Sequence, residues 1–219
     1  MILNSFMKSK LESDSNNLIF IKKLLFSSSD YNIFLYNYTF WLFINTLFVI
    51  SNGFNTYSFF IGLFMWSFWE YFYHRFILHF LENTEYYYKL HGYHHMYPDK
   101  STHIPGFQYI LVEFFIILIS TLFNKSYVYS YSIGHMLGLF SFENMHYYIH
   151  KNKDSNQIFI KYHIYHHKNS HKKAHCFTSP LFDIIFNTFP YNNFEYNLIA
   201  YLPIPYLSFI HGVRYKKIE

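Results

Sequence analysis

Residues 57–80 read YSFFIGLFMWSFWEYFYHRFILHF, an apolar and aromatic run that ends in two histidines, His74 and His79. A run of this kind has the composition and nearly the ~20-residue length of a helix that lies in hydrocarbon. Its last turns add ring nitrogens where such a helix would leave that environment. Three further runs share the pattern: Ile33 to Ile50, Phe107 to Phe123 and Tyr127 to Phe142. The turn SNGFN at 51–55 joins the first two, and Asn124, Lys125 and Ser126 join the last two, connections short enough for helical hairpins. The expectation is an all-α integral membrane fold, with four transmembrane helices in two hairpins and a cytosolic helical cap. A single domain of 219 residues accommodates it: an N-terminal cytosolic tail at 1–30, a four-helix membrane region at 31–150, and the cap with the C-terminal tail at 151–219.

Charge sets the expected orientation. Of the 17 lysines and arginines only Lys125 falls in a hairpin turn. Cytoplasmic loops concentrate these residues, so both turns are expected on the lumenal side and both termini in the cytosol. The chain ends KKIE at 216–219, which matches a dilysine retrieval signal and predicts a multi-pass protein of the endoplasmic reticulum membrane. Charged residues make up 14% of the chain, below the roughly 25% of soluble domains. Cys176 is the only cysteine, which excludes a disulfide framework and a thiolate metal cage. The formal charge of +4 is spread along the flanks of apolar runs, without the dense basic patch of a nucleic-acid binder. Lys22 and Lys23 interrupt the apolar stretch 18–26 and no small-residue cleavage site follows, which argues against a removed leader. Pro203 and Pro205 break the run from Leu198 to Ile210, so an interfacial or re-entrant piece is expected there.

Metal chemistry, if present, must therefore use histidine. The chain has 15, and ten fall in four groups: His74 and His79; His91, His94 and His95 in HGYHH; His146 and His150 in HYYIH; His163, His166 and His167 in HIYHH. Positions i, i+3 and i+4 share one helix face within about a 100° arc. His74 and His79 stand five apart, well round a regular helix, and must either serve different ions or sit on a local distortion. Neutral imidazole ligates zinc, iron, copper or nickel. Ten rings are too many for one ion and suit two with four or five ligands each. Glu70 and Glu143 lie one turn before His74 and three residues before His146, spacings from which a carboxylate can accept a ligand's free ring N–H. His103, His135, His171, His175 and His211 read as structural or surface residues.

The stretches WEYFYHRFILH, KLHGYHH, FENMHYYIH and KYHIYHHKN, followed by FTSPLFDIIFNT, resemble those of the fatty acid 2-hydroxylases within the sterol desaturase and fatty acid hydroxylase superfamily. The likeness runs from Trp69 to Thr188 and implies that the ten histidines are metal ligands. It implies two iron ions in the working enzyme, with zinc a further candidate occupant, and use of O₂. The substrate would be a lipid acyl group, carried as fatty acid, acyl-CoA or ceramide. It departs from the family in carrying no heme-binding HPGG segment, so electrons are expected from a separate cytochrome b5 or NAD(P)H reductase. Phe142 and Glu143 replace a frequent Tyr-Asp, and the stretch after the second box reads PDKSTHIP. The expected reaction is 2-hydroxylation of a long-chain acyl group. Sterol oxidation or desaturation, and C4 hydroxylation of a sphingoid base, are the alternatives within the superfamily. A His-rich membrane metal transporter is the alternative outside it, disfavoured because only His135 lies well inside an apolar run.

Overall fold

Asp30 starts the first long helix, α1 (Tyr31–Asn52): its carboxylate accepts from the backbone N–H groups of Asn32 and Ile33, and Gly53, at φ 88°, ends the helix. That dihedral lies in the left-handed region, where a side chain would be strained. In this computed structural model, residues 18–25, 30–81, 84–85, 88–98, 103, 106–169 and 172–216 are described. Asn55 caps α2 (Thr56–Phe72), which continues into a π-helical turn at Tyr73–Leu78. A second π-helical turn, Tyr88–Gly92, leads into the short α3 (Tyr93–Met96). Then come α4 (Gly106–Leu122) and α5 (Lys125–Lys151), the latter capped by Asn124.

Helices α2 and α5 pack at unusually close range because glycines face backbone on both sides. A Cβ added at Gly62 would stand 2.1 Å from the carbonyl oxygen of Tyr131, and one at Gly134 would stand 2.0 Å from that of Phe59. A turn further along, Gly138 makes room for the Trp66 ring. Because the obstacle is backbone, the helices themselves must move apart to admit a side chain. Gly134→Val is expected to cost about 3 kcal/mol, the upper range for overpacking. Thermal unfolding checks this, and an unchanged midpoint would rule out the close approach.

The four-span expectation does not hold. Among the described residues one helix, Tyr31–Asn52, is long and apolar enough to cross a bilayer. Helices α2 and α4 have 17 residues each, about 25 Å against the ~30 Å of a hydrocarbon core. Helix α5 has the length, at 27 residues, but carries Ser130, Ser132, His135, Glu143, Asn144, His146 and His150 along it. The multi-pass endoplasmic reticulum placement rested on those spans and falls with them. Of the KKIE tail, residues 217–219 lie outside the described residues, as do 1–17 and 26–29 of the N-terminal tail.

Beyond α5 the chain builds a cap on α6 (Ile158–Asn169), α7 (Leu181–Ile185) and α8 (Leu207–Gly212). The all-α expectation misses a small antiparallel pair here, β1 (Phe194–Tyr196) with β2 (Val213–Tyr215), in register Phe194↔Tyr215 and Tyr196↔Val213. The segment expected to be interfacial folds as a 3₁₀ turn, Leu198–Tyr201, and α8, and it feeds the cap's core through Ala200 and Phe209. Phe209 stands edge-on to Tyr162 of α6, ring centroids 4.6 Å apart. Below this core lies a second one of Phe34, Tyr38, Trp66, Tyr109, Met136 and Leu139, and Phe142 packs against both. The histidine-bearing ends of the helices meet where the two cores adjoin.

Candidate metal centre

The π-helical turn resolves the five-residue step. His79 N–H donates to the His74 carbonyl at 3.1 Å, five residues back, and the extra residue in the turn brings the two Nε2 atoms to 3.2 Å. Of the two outcomes the spacing left open, the chain adopts the distortion, and both rings join one group. Such π insertions recur at functional sites because they re-aim a side chain without ending the helix.

All ten histidines named from spacing are brought together, in two groups of five. His74, His79, His91, His95 and His166 form the first; His94, His146, His150, His163 and His167 form the second; within each, the ligand atoms lie within 4.8 Å of one another. Neighbouring Nε2 atoms are 3.0–3.2 Å apart in the first group and 2.9–3.2 Å in the second. Two nitrogens held about 2.1 Å from one ion at right angles stand about 3.0 Å apart, so the donor set fits a metal ion in each group. The groups adjoin, with the His95 and His167 rings stacked at 4.3 Å.

Each HxxHH segment serves both groups. His91 and His95 enter the first and His94 the second, whereas His163 and His167 enter the second and His166 the first. On a helix, i and i+4 differ by about 40° and i+3 lies about 60° to the other side, so the segments straddle the boundary. Backbone carbonyls fix the tautomers. His74 Nδ1 donates to the His175 carbonyl at 2.5 Å and His166 Nδ1 to that of Lys173 at 2.8 Å, leaving each Nε2 lone pair turned inward. Burial and then the neighbouring rings hold His91, His95, His146, His163 and His167 below the ordinary imidazole value. Burial, the His94 ring and Lys153 take His150 down to about 3. In these six rings the shift favours the neutral form, whose lone pair can ligate.

The two carboxylates take other partners. Glu70 accepts from the backbone N–H of Phe177 and of Thr178, at 2.9 and 3.2 Å, and from the Thr178 hydroxyl, and burial raises it to about 7. It thereby ties α2 to the cap loop, one turn from His74. Glu143 Oε2 lies 2.7 Å from Nδ1 of His103. The sequence reading passed over His103, and also Asp183, which accepts from the backbone of His175 and Cys176 and from Thr188 and so shapes the loop whose carbonyl orients His74. The segment FTSPLFD carried the only signal for Asp183.

A cavity of about 530 Å³ opens on both groups. Its walls include His74 and His91 of the first, His146 and His163 of the second, and a mainly apolar lining with Trp66, Tyr109, Ile116, Met136, Leu139 and Phe142.

Two imidazole groups on a helical scaffold beside an apolar cavity make a candidate two-metal site of the histidine-box type. The chain belongs to the fatty acid hydroxylase family, whose model matches residues 59–188. It is 32% identical over 141 residues to the dihydroceramide fatty acyl 2-hydroxylase FAH1 of Arabidopsis thaliana, covering 59% of each chain. It is 29% identical over 148 residues to the ceramide very long chain fatty acid hydroxylase SCS7 of Saccharomyces cerevisiae, covering 62% of this chain and 38% of that one. A solved structure described as full-length scs7p, with only the hydroxylase domain visible, shares the fold at a TM-score of 0.62 and 22% identity, over 74% of this chain and 67% of that one. The chain thus spans about three fifths of the plant relative and under two fifths of the yeast one.

Proposed function

We propose that this protein hydroxylates carbon 2 of a long-chain fatty acyl group, carried in a ceramide-type lipid, with O₂ as the oxygen source. The observation that carries the reading is the apolar cavity opening on both histidine groups, a lining that suits a hydrocarbon chain lying beside the metal positions. The ten histidines would hold two ions, five rings to each, and iron bound there would supply the oxygen activation that no side chain can provide. One oxygen atom enters the C–H bond and the other leaves as water, which takes two electrons and two protons. A cytochrome b5 or NAD(P)H reductase delivers the electrons.

The chain's own residues bind and orient. Trp66, Met136, Leu139 and Phe142 surround the acyl chain and exclude water. Glu70 and Asp183 hold the 175–178 loop whose carbonyl orients His74. Large apolar side chains on the outer faces of α1, α2 and α4, among them Phe40, Phe60, Leu111 and Phe115, are exposed and support association with a lipid surface. Expression in a host lacking 2-hydroxylase, with mass spectrometry of its sphingolipids, is expected to show 2-hydroxy acyl chains. Their absence from a metal-loaded protein overturns the assignment, and a hydroxylated sterol or sphingoid base in their place names the successor.

A further inference from the structure

Two imidazoles outside both groups border the cavity, His103 and His135, and His103 is held for a purpose the metal positions do not explain. Its ring is 4% exposed, stacks on Phe34 at 5.5 Å, and meets Glu143, itself 1% exposed, through Nδ1 at 2.7 Å. A carboxylate oxygen only accepts, so Nδ1 carries a proton, and in the neutral ring Nε2 then presents a lone pair. That Nε2 is buried and has no hydrogen-bond partner among the described residues. Buried polar atoms are nearly always paired, and one left open beside a cavity is matched by whatever fills the cavity.

An apolar channel grips a hydrocarbon chain but does not fix how far the chain slides in. Selecting one carbon requires a polar contact near the reacting position. Glu143 lies three residues before His146 on α5, so the pair stands within one helical turn of the second group. In an N-acyl amide the N–H is two bonds from carbon 2, and a contact to it places that carbon close by.

We propose that His103, oriented by Glu143, anchors the polar end of the acyl substrate. Its Nε2 accepts a hydrogen bond from the substrate's amide N–H and sets which chain carbon faces the two histidine groups. This rests on the hydroxylase reading and adds to it a binding residue that selects the position of attack.

The test uses the full, metal-loaded chain and two fluorescent long-chain probes, a secondary N-acyl amide and its N-methyl counterpart. Wild-type protein is expected to bind the N–H probe about tenfold more tightly, the worth of one buried hydrogen bond. His103→Phe keeps the stack on Phe34 and is expected to abolish that preference at unchanged metal content, with hydroxylation spread over neighbouring carbons. His103→Gln, which restores an acceptor, is expected to recover part of it. A His103→Phe protein that keeps both the preference and a single product position overturns the anchor. Should that variant fail to fold, equal affinity of wild-type protein for the two probes does the same. If wild-type protein makes no 2-hydroxy product yet loses its N–H preference in His103→Phe, the anchor stands and the proposed reaction fails.

Discussion

Replacing His94 with alanine is expected to lower the metal content from two ions per chain and to cut product formation by more than about a hundredfold. His94 Nε2 stands 2.9 Å from that of His146, so the second group loses a ring at its centre. The damage spreads because His94 shares α3 and its leading π-helical turn with His91 and His95 of the first group. An ion in the second group would pin that short segment through His94, and without that ring the two neighbours would lose the constraint that aims them. Removal of an outer partner of a ligand already costs 10–100-fold in affinity or activity, and loss of the ligand itself exceeds that. His167→Ala is expected to behave alike, whereas His211→Ala, an exposed residue outside both groups, keeps both ions. Elemental analysis beside product assay checks this. A His94→Ala protein with full metal content and wild-type turnover would rule out the assignment of that ring.

Acid is expected to unfold the metal-free protein well before the metal-loaded one. The rings of His91, His95, His146, His163 and His167 are held below the ordinary value of 6.5, and that of His150 is taken down to about 3. An unfolded chain would protonate each near pH 6.5. Between that value and the folded one the unfolded state binds more protons, so stability is complete above pH 6.5 and is lost as the pH falls toward 3. Each such ring contributes a slope of about 1.4 kcal/mol per pH unit. Several titrating together remove the 5–15 kcal/mol stability of a typical domain within about one to two units. Bound ions hold the rings unprotonated and move the transition to lower pH. Circular dichroism against pH, with and without chelator, measures the difference. A chelated protein as stable at pH 5 as at pH 7.5 would show that these rings are not buried together.

Much of the centre was legible because metal ligation uses few residue types at helical intervals. The spacing in HGYHH and HIYHH singled out the rings that the fold gathers, and the single cysteine excluded a thiolate cage. How the rings divide was legible in principle, since i and i+4 lie on one side of i+3, but spacing alone does not say that two groups sit at the boundary. The step from His74 to His79 admitted two geometries, and tertiary packing chose the π turn. His103 and Glu143 are 40 residues apart in sequence and meet only through folding. The four-span reading failed for a simpler reason. Apolarity was read along runs, whereas crossing depends on whole helices, and Phe107 to Phe123 yields only 17 helical residues while Tyr127 to Phe142 is part of a helix with a polar, histidine-rich end.

The exchange of rings between the two HxxHH segments has a consequence for biosynthesis. The first group includes His166 and the second His163 and His167, so neither set is complete on a nascent chain until residues 163–167 have been made. Synthesis runs from the N-terminus, and the early histidines emerge with no partner set to close. Metal capture by the full sets thus awaits docking of the cap, and a chain truncated before residue 163 completes neither set.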